Sequence, residues 1–303
     1  VNYNINPISS AMFITATAPN PLIVTFLTQG TDGVLTMTWG MWAIAALLPA
    51  VVSLLVMPIV IWWLYQPAIT RTPNATQFAR QKLDLLGPLS LAEKITLAVF
   101  ILLLCLWAGV PAMIMGNGWT VNPTSAALIG LSILLVTGVL NWEDILKCRG
   151  AWDTIVWFAA LVMMADFLSK LGLVGWLATS VGTAINHLGV HWSIATLLLI
   201  LLYVYSHYFF ASTTAHITAM FSAFFIAGLG LGAPPALLGL MLGFSSSLMM
   251  SLTHYGTGTA PIIFGSGYAT LAEWWKTGLV MSVVNLTIWA VTGAFWWHWL
   301  GYW

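Results

Sequence analysis

Phe209-Phe210-Ala211-Ser212-Thr213-Thr214-Ala215-His216 sits in the middle of an apolar run of about 40 residues, Trp192 to Leu231. One helix that crosses a bilayer needs about 20 residues. The run is therefore too long for one span, and its three consecutive hydroxyls and a histidine fall at its centre. Polar side chains at membrane depth are costly and mark substrate or ion pathways. The run reads as a re-entrant hairpin, two short helices that meet at Ser212-Thr213-Thr214. Downstream, Thr253-His254-Tyr255-Gly256-Thr257-Gly258-Thr259-Ala260-Pro261 interrupts a second apolar run in the same manner. Paired interruptions of this kind point to the midplane site of a transporter.

The composition sets the class. Of 303 residues, 60% are hydrophobic and 5% charged, with net charge zero and a mean hydropathy of +0.94. Soluble domains carry about 25% charge, so the chain is expected to be an all-α, polytopic integral membrane protein. Its zero net charge argues against a nucleic-acid partner. Cys105 and Cys148 fit neither a disulfide framework nor a zinc spacing and read as free thiols. Tryptophans gathered near run ends, as at Trp62-Trp63, Trp274-Trp275 and Trp296-Trp297 with Trp299, suit interfacial belts.

In chain order, Ile8 to Gln29 is a span broken at residues 15–21, where two prolines and an asparagine cannot continue one regular helix. Trp39 to Tyr65 is an unbroken span. Residues 66–93 form a polar linker that holds Arg71, Arg80 and Lys82. Ile95 to Met115 and Ala126 to Asn141 are further spans, then a polar stretch at 142–153. Thr154 to Leu177 is a fifth span with an Asp166–Lys170 pair spaced for one helix face, and 181–190 is an interfacial arm. Leu237 to Tyr268 is the second broken span, and Gly278 to Trp299 closes the chain.

If the hairpin enters and leaves on one side, Arg71, Arg80, Lys82, Lys94, Lys147, Arg149 and Lys276 share a face, the opposite loops at 30–38, 116–124, 180–191 and 230–236 carry no Lys or Arg, and Lys170, near the outer end of its span, is the single exception. That asymmetry places the basic loops 66–94 and 142–153 in the cytoplasm, at an inner or cell membrane. Thr15-Ala16-Thr17-Ala18-Pro19 matches Thr257-Gly258-Thr259-Ala260-Pro261 at four of five positions. The two segments cross in opposite directions, the plan of an inverted repeat. The expected domains are the end of a first repeat at 1–65, a cytoplasmic linker at 66–93, and a second repeat at 94–303 that contains the hairpin 192–231 and the broken helix 237–268.

Four pieces carry a family resemblance: Phe210 to His216, Leu252-Thr253-His254-Tyr255-Gly256-Thr257-Gly258, Phe264-Gly265-Ser266-Gly267-Tyr268, and Ala18-Pro19-Asn20. With them the chain resembles the C-terminal part of the divalent anion/sodium symporter superfamily, which includes citrate and tartrate carriers and the plastid 2-oxoglutarate/malate translocator. The resemblance implies a secondary transporter of di- and tricarboxylates, a homodimer in the lipid bilayer, with an elevator-type motion. It implies a substrate site from Ser212, Thr213, Thr214 and His216 at the second tip, Thr257, Gly258 and Thr259 at the second loop, and Thr17, Pro19 and Asn20 at the first loop. The family's first tip has no counterpart in these 303 residues and is expected upstream of Val1.

Thr213 stands where sodium-coupled members carry asparagine, and a hydroxyl is a poorer ligand for a hard cation than an amide oxygen. Sodium-independent exchange is thus the expected mode, with no cofactor. A sodium ion, were the carrier a symporter, would be sought near Ala211, Thr213 and Gly256. Helix starts at the breaks offer free N–H groups and the positive end of the helix dipole to a polyanion. A protonated His216 would add charge. The plainer alternatives are that the hydroxyls bond to their own helices and that His207 and His254 are packing residues. A membrane metalloenzyme built on His207, His216 and His254 is the remote alternative, since their spacing fits no familiar ligand motif.

Overall fold

A computed structural model describes residues 2–66, 74–116, 119 and 121–303. Expectations that rest on Arg71, on residues 117, 118 and 120 of the loop at 116–124, or on the Asp166 side chain lie outside the described residues. The elements in order are α1 Asn2–Met12, α2 Pro19–Gly30, α3 Trp39–Leu64, α4 Ala75–Leu86, α5 Leu91–Trp107, α6 Val110–Met115, α7 Pro123–Val136 and α8 Trp142–Lys147. They continue with α9 Arg149–Lys170, α10 Leu173–Asn186, α11 Trp192–Ser206, α12 Thr213–Gly230, α13 Pro235–Leu248, α14 Ala260–Phe264, α15 Leu271–Ile288 and α16 Ala294–Trp299. All are helices, as the composition requires. Among the described residues four helical stretches are long and apolar enough to cross a membrane: Trp39–Leu64, Trp192–Phe209, Thr213–Gly230 and Leu271–Trp299.

The chain divides into two compact units, residues 1–64 with 156–303, and residues 65–155. In the smaller unit the polar linker holds α4, exposed along its whole length. Gly87 at φ 68° and Pro88 end it, and α5 leaves at 104°, started by a reciprocal Ser90–Glu93 capping box. The third expected span is not continuous, because Gly109 adopts φ 75° between α5 and α6.

In the larger unit both expected interruptions are present. A 3-10 turn at Ile14–Ala16 and an extended Thr17 part α1 from α2, which begins on Pro19, a residue suited to a first helical position. α13 ends in a 3-10 turn at Met249–Ser251, and residues 252–259 are irregular before the five-residue α14. The two broken segments lie antiparallel. The Tyr3 hydroxyl donates to the Met250 carbonyl at 2.6 Å, whereas Ile23 packs at Gly243 and Leu27 at Gly239. Moving forward along the first segment thus moves backward along the second, as an inverted repeat demands.

Two expectations are revised. The fifth span ends at Lys170, and the supposed arm belongs to α10, which packs along α12. Nor are the tryptophans all anchors. Trp62, Trp63 and Trp299 are exposed, yet Trp42, Trp289 and Trp297 are fully buried around Phe244. Each satisfies its indole N–H internally, on the Ala11 carbonyl, Ser53 Oγ and the Ala45 carbonyl respectively. An indole can enter a core only with such an acceptor.

Candidate functional site

Residues 192–230 fold back on themselves. α11 runs to Ser206, a 3-10 turn covers His207–Phe209, Phe210 is extended, and α12 starts at Thr213. α11 and α12 pack together, with Tyr203 against His216 and Phe224. Ser212 caps α12 by accepting from the Ala215 N–H at 3.4 Å, so part of the tip's hydroxyl chemistry serves the helix itself, the local role serine performs at a helix start.

The tip and the second break meet. Thr213 Oγ1 donates to the Gly256 carbonyl at 2.9 Å, 43 residues away, and the Tyr255 hydroxyl donates to the Tyr208 carbonyl at 2.8 Å. Gly256 is confined: a Cβ there would stand 2.6 Å from His207 Nε2 and 2.8 Å from Thr253 Oγ1. α15 supports the break from behind, since a Cβ at Gly278 would run into the Ser251 and Leu252 carbonyls. Beyond this tight joint the loop opens, with Thr257 half-buried and Gly258 and Thr259 exposed.

The first break is held by Asn20. Its side-chain N–H groups donate to the Ser10 and Phe13 carbonyls, both at 2.9 Å, and tie the end of α1 to the start of α2. Pro19 and Asn20 are buried. Asn20 Oδ1 and Thr17 Oγ1 are buried oxygens without a hydrogen-bond partner, which a burial cost of about 1–3 kcal/mol per unsatisfied group makes unusual. Phe26 stacks on Phe221 and Gly30 meets Phe225. These contacts set α2 and α12 parallel in one register, and traced back to their starts that register puts Pro19 level with Thr214. Two helix N-termini, of 12 and 18 residues, thus begin at the same depth with their positive dipole ends facing the same way.

His216 is placed differently from its expected role. It is fully buried between Phe210 and Tyr203, and both ring nitrogens are engaged, Nδ1 with His207 Nδ1 at 3.2 Å and Nε2 with Ser206 Oγ at 3.1 Å. Ser206 is the neighbour that sequence reasoning did not single out; His207 reads there as a packing residue and Thr253 only as part of the second break. Ser206 and His216 lie five residues to either side of Ala211, so folding the hairpin at its tip would have brought them face to face. His254 sits apart against Trp275, and among the described residues no three His, Cys, Asp or Glu side chains gather as metal ligands would.

The chain matches the family model described as the sodium:sulfate symporter transmembrane region over residues 1–303. It is 45% identical over 296 residues to the chloroplastic dicarboxylate transporter 1 of Spinacia oleracea, a match covering 98% of this chain and 51% of that protein. It is 48% identical over 298 residues to a putative malate transporter of Bacillus subtilis, covering 98% and 60% respectively. An inner membrane protein of Escherichia coli is 35% identical over 298 residues, again 98% of this chain and 60% of that one. The chain spans about half the length of the chloroplastic relative. It belongs to this transporter family and is an integral, multi-pass membrane protein.

Proposed function

We propose that this chain, as a member of that family, forms part of the binding site of a carrier for small di- and tricarboxylates such as malate, 2-oxoglutarate, succinate and citrate. The observation that carries the reading is the level start of α2 and α12. A polyanion in a low-dielectric site is very costly unless it is compensated, and two parallel helix N-termini bring partial positive charge to one depth; the free N–H groups come from the first turn of α12, because Pro19 and Pro21 have none and the Asn20 N–H is taken by the Thr17 carbonyl. The hydroxyls of Ser212, Thr214, Thr257 and Thr259 with Thr17 supply donors, and Gly258 lets backbone approach.

Transport is by sodium-independent exchange across an inner or cell membrane, with the homodimer as the working assembly. The hairpin and the second broken segment move as one body, a reading supported by the Thr213–Gly256 and Tyr255–Tyr208 bonds that join them. Sodium-coupled symport is the second reading, favoured by the family's description. Both are tested by counterflow in proteoliposomes of the full-length protein, with labelled malate outside and each unlabelled acid inside, in sodium or choline buffer. Equal uptake in both buffers is expected. Strict dependence on sodium overturns exchange, and the absence of counterflow with every acid overturns the carrier.

A further inference from the structure

A buried hydrogen-bond chain crosses the hairpin beneath its tip, and its protons can be counted. Ser206 Oγ lies 2.7 Å from the Tyr203 carbonyl. A carbonyl only accepts, so the single Ser206 proton is spent there. The contact of Ser206 Oγ with His216 Nε2 at 3.1 Å then requires an N–H on His216. A neutral imidazole with its proton on Nε2 has a bare Nδ1, and that atom faces His207 Nδ1 at 3.2 Å, which must be the donor. The lone pair of His207 is left on Nε2. That nitrogen is buried and makes no hydrogen bond of good geometry, and it lies against the Gly256 backbone, which can accept a hydrogen bond from it once it carries a proton. Thr253 Oγ1, also buried and without a partner, flanks the same face of Gly256.

We infer that His207 Nε2 is a proton site that fills together with the substrate: one proton from water binds this lone pair when a carboxylate polyanion occupies the second break, and returns to water when the anion leaves. The pair has room for one extra proton only, since protons on both facing Nδ1 atoms would destroy the bond between the rings. The groups around it are Tyr203 and Ser206 from α11, Phe210 from the tip, and Thr253 and Gly256 from the second break. Tyr255 is bonded to Tyr208 and His254 to Trp275, so none of these neighbours carries a fixed charge. A cation there stands uncompensated while the site is empty, which is costly in an apolar interior. A bound anion compensates it. Coupling between two ligands is reciprocal, so the proton raises affinity for the anion by the factor with which the anion raises affinity for the proton. His207 lies against the Gly256 backbone and acts as a positioning residue through it. The inference rests on the carboxylate reading above.

The test is calorimetric titration of the full-length protein with malate in sodium-free buffers of different ionisation enthalpy, from about pH 7 upward, where the carboxylates are already ionised. About one proton taken up per malate is expected, with affinity falling about tenfold per pH unit. His207→Gln should still bind malate, with no proton uptake and a flat pH profile. Spectra of isotope-labelled histidine in the wild-type protein answer the same question without a variant: on adding malate one ring passes from neutral to doubly protonated. Binding without proton uptake, an unchanged pH profile in His207→Gln, or affinity that follows sodium instead of pH overturns the proton site and leaves the carrier reading standing. If malate, succinate, citrate and 2-oxoglutarate all fail to bind both in sodium-free buffer and with sodium added, the carrier reading fails and the proton site falls with it.

Discussion

The phenol of Tyr3 donates to the carbonyl of Met250 across 247 residues, at 2.6 Å in a buried position. This bond pins the start of the first broken segment to the end of α13, and Trp274 lies against the same tyrosine, its ring tilted by 45° with centroids 4.6 Å apart. Tyr3→Phe keeps the ring and removes the donor. A buried carbonyl left unsatisfied costs about 1–3 kcal/mol, so thermal unfolding in detergent should show a clear loss of stability, with the packing of Trp274 retained. An unchanged melting temperature would mean that the antiparallel crossing does not depend on this bond.

Thr213→Val preserves shape and deletes the proton that Thr213 gives to the Gly256 carbonyl. The tip then loses its donor to the second loop, and the Gly256 carbonyl is left without that partner. By the same cost for a buried unpaired carbonyl, about 1–3 kcal/mol, dicarboxylate affinity should fall about 5- to 150-fold, and Thr213→Ser should restore most of it. Binding isotherms with the three proteins decide the matter, and equal affinities for valine and threonine would remove the bond from any role in the site.

Glycine at 278 is required by proximity. Any Cβ there meets the Ser251 and Leu252 carbonyls, and overfilling a packed site costs about 1–3 kcal/mol. Gly278→Ala should therefore lower stability and displace the second break. Gly175→Ala, on α10 where nothing lies within 4 Å of the new methyl, should be neutral or slightly stabilising, because alanine has the higher helix propensity. A pair of melting curves separates the two.

Asn20→Asp removes the two N–H donors that close the first break onto Ser10 and Phe13 and adds negative charge beside a proposed anion site. Both effects act against the proposed carrier, so dicarboxylate transport by the full-length protein in proteoliposomes should drop well over tenfold even where the protein still folds. Transport at the wild-type rate would exclude the first break from the site.

The interruptions read at 15–21 and 253–261 were legible because proline, glycine and clustered hydroxyls oppose regular helix, whatever the rest of the chain does. The hairpin followed from length, since about 40 apolar residues exceed a single span. The all-helical membrane class followed from composition, because a bilayer core leaves backbone polar groups no partner outside helices or closed barrels. What the linear order left open was partnership. Trp42 and Trp297 have the same side chain as Trp63 and Trp299, and only the presence of an internal carbonyl within reach makes the first two core residues. His207 looks like any histidine on an apolar run. Its meaning comes from His216 nine residues on and from Gly256 and Thr253 beyond position 250, groups that meet only after the hairpin closes and α13 returns beside it. Local covalent chemistry fixes where a helix must stop, but a hydrogen bond needs two groups within about 3 Å, and that distance is a property of the folded chain alone.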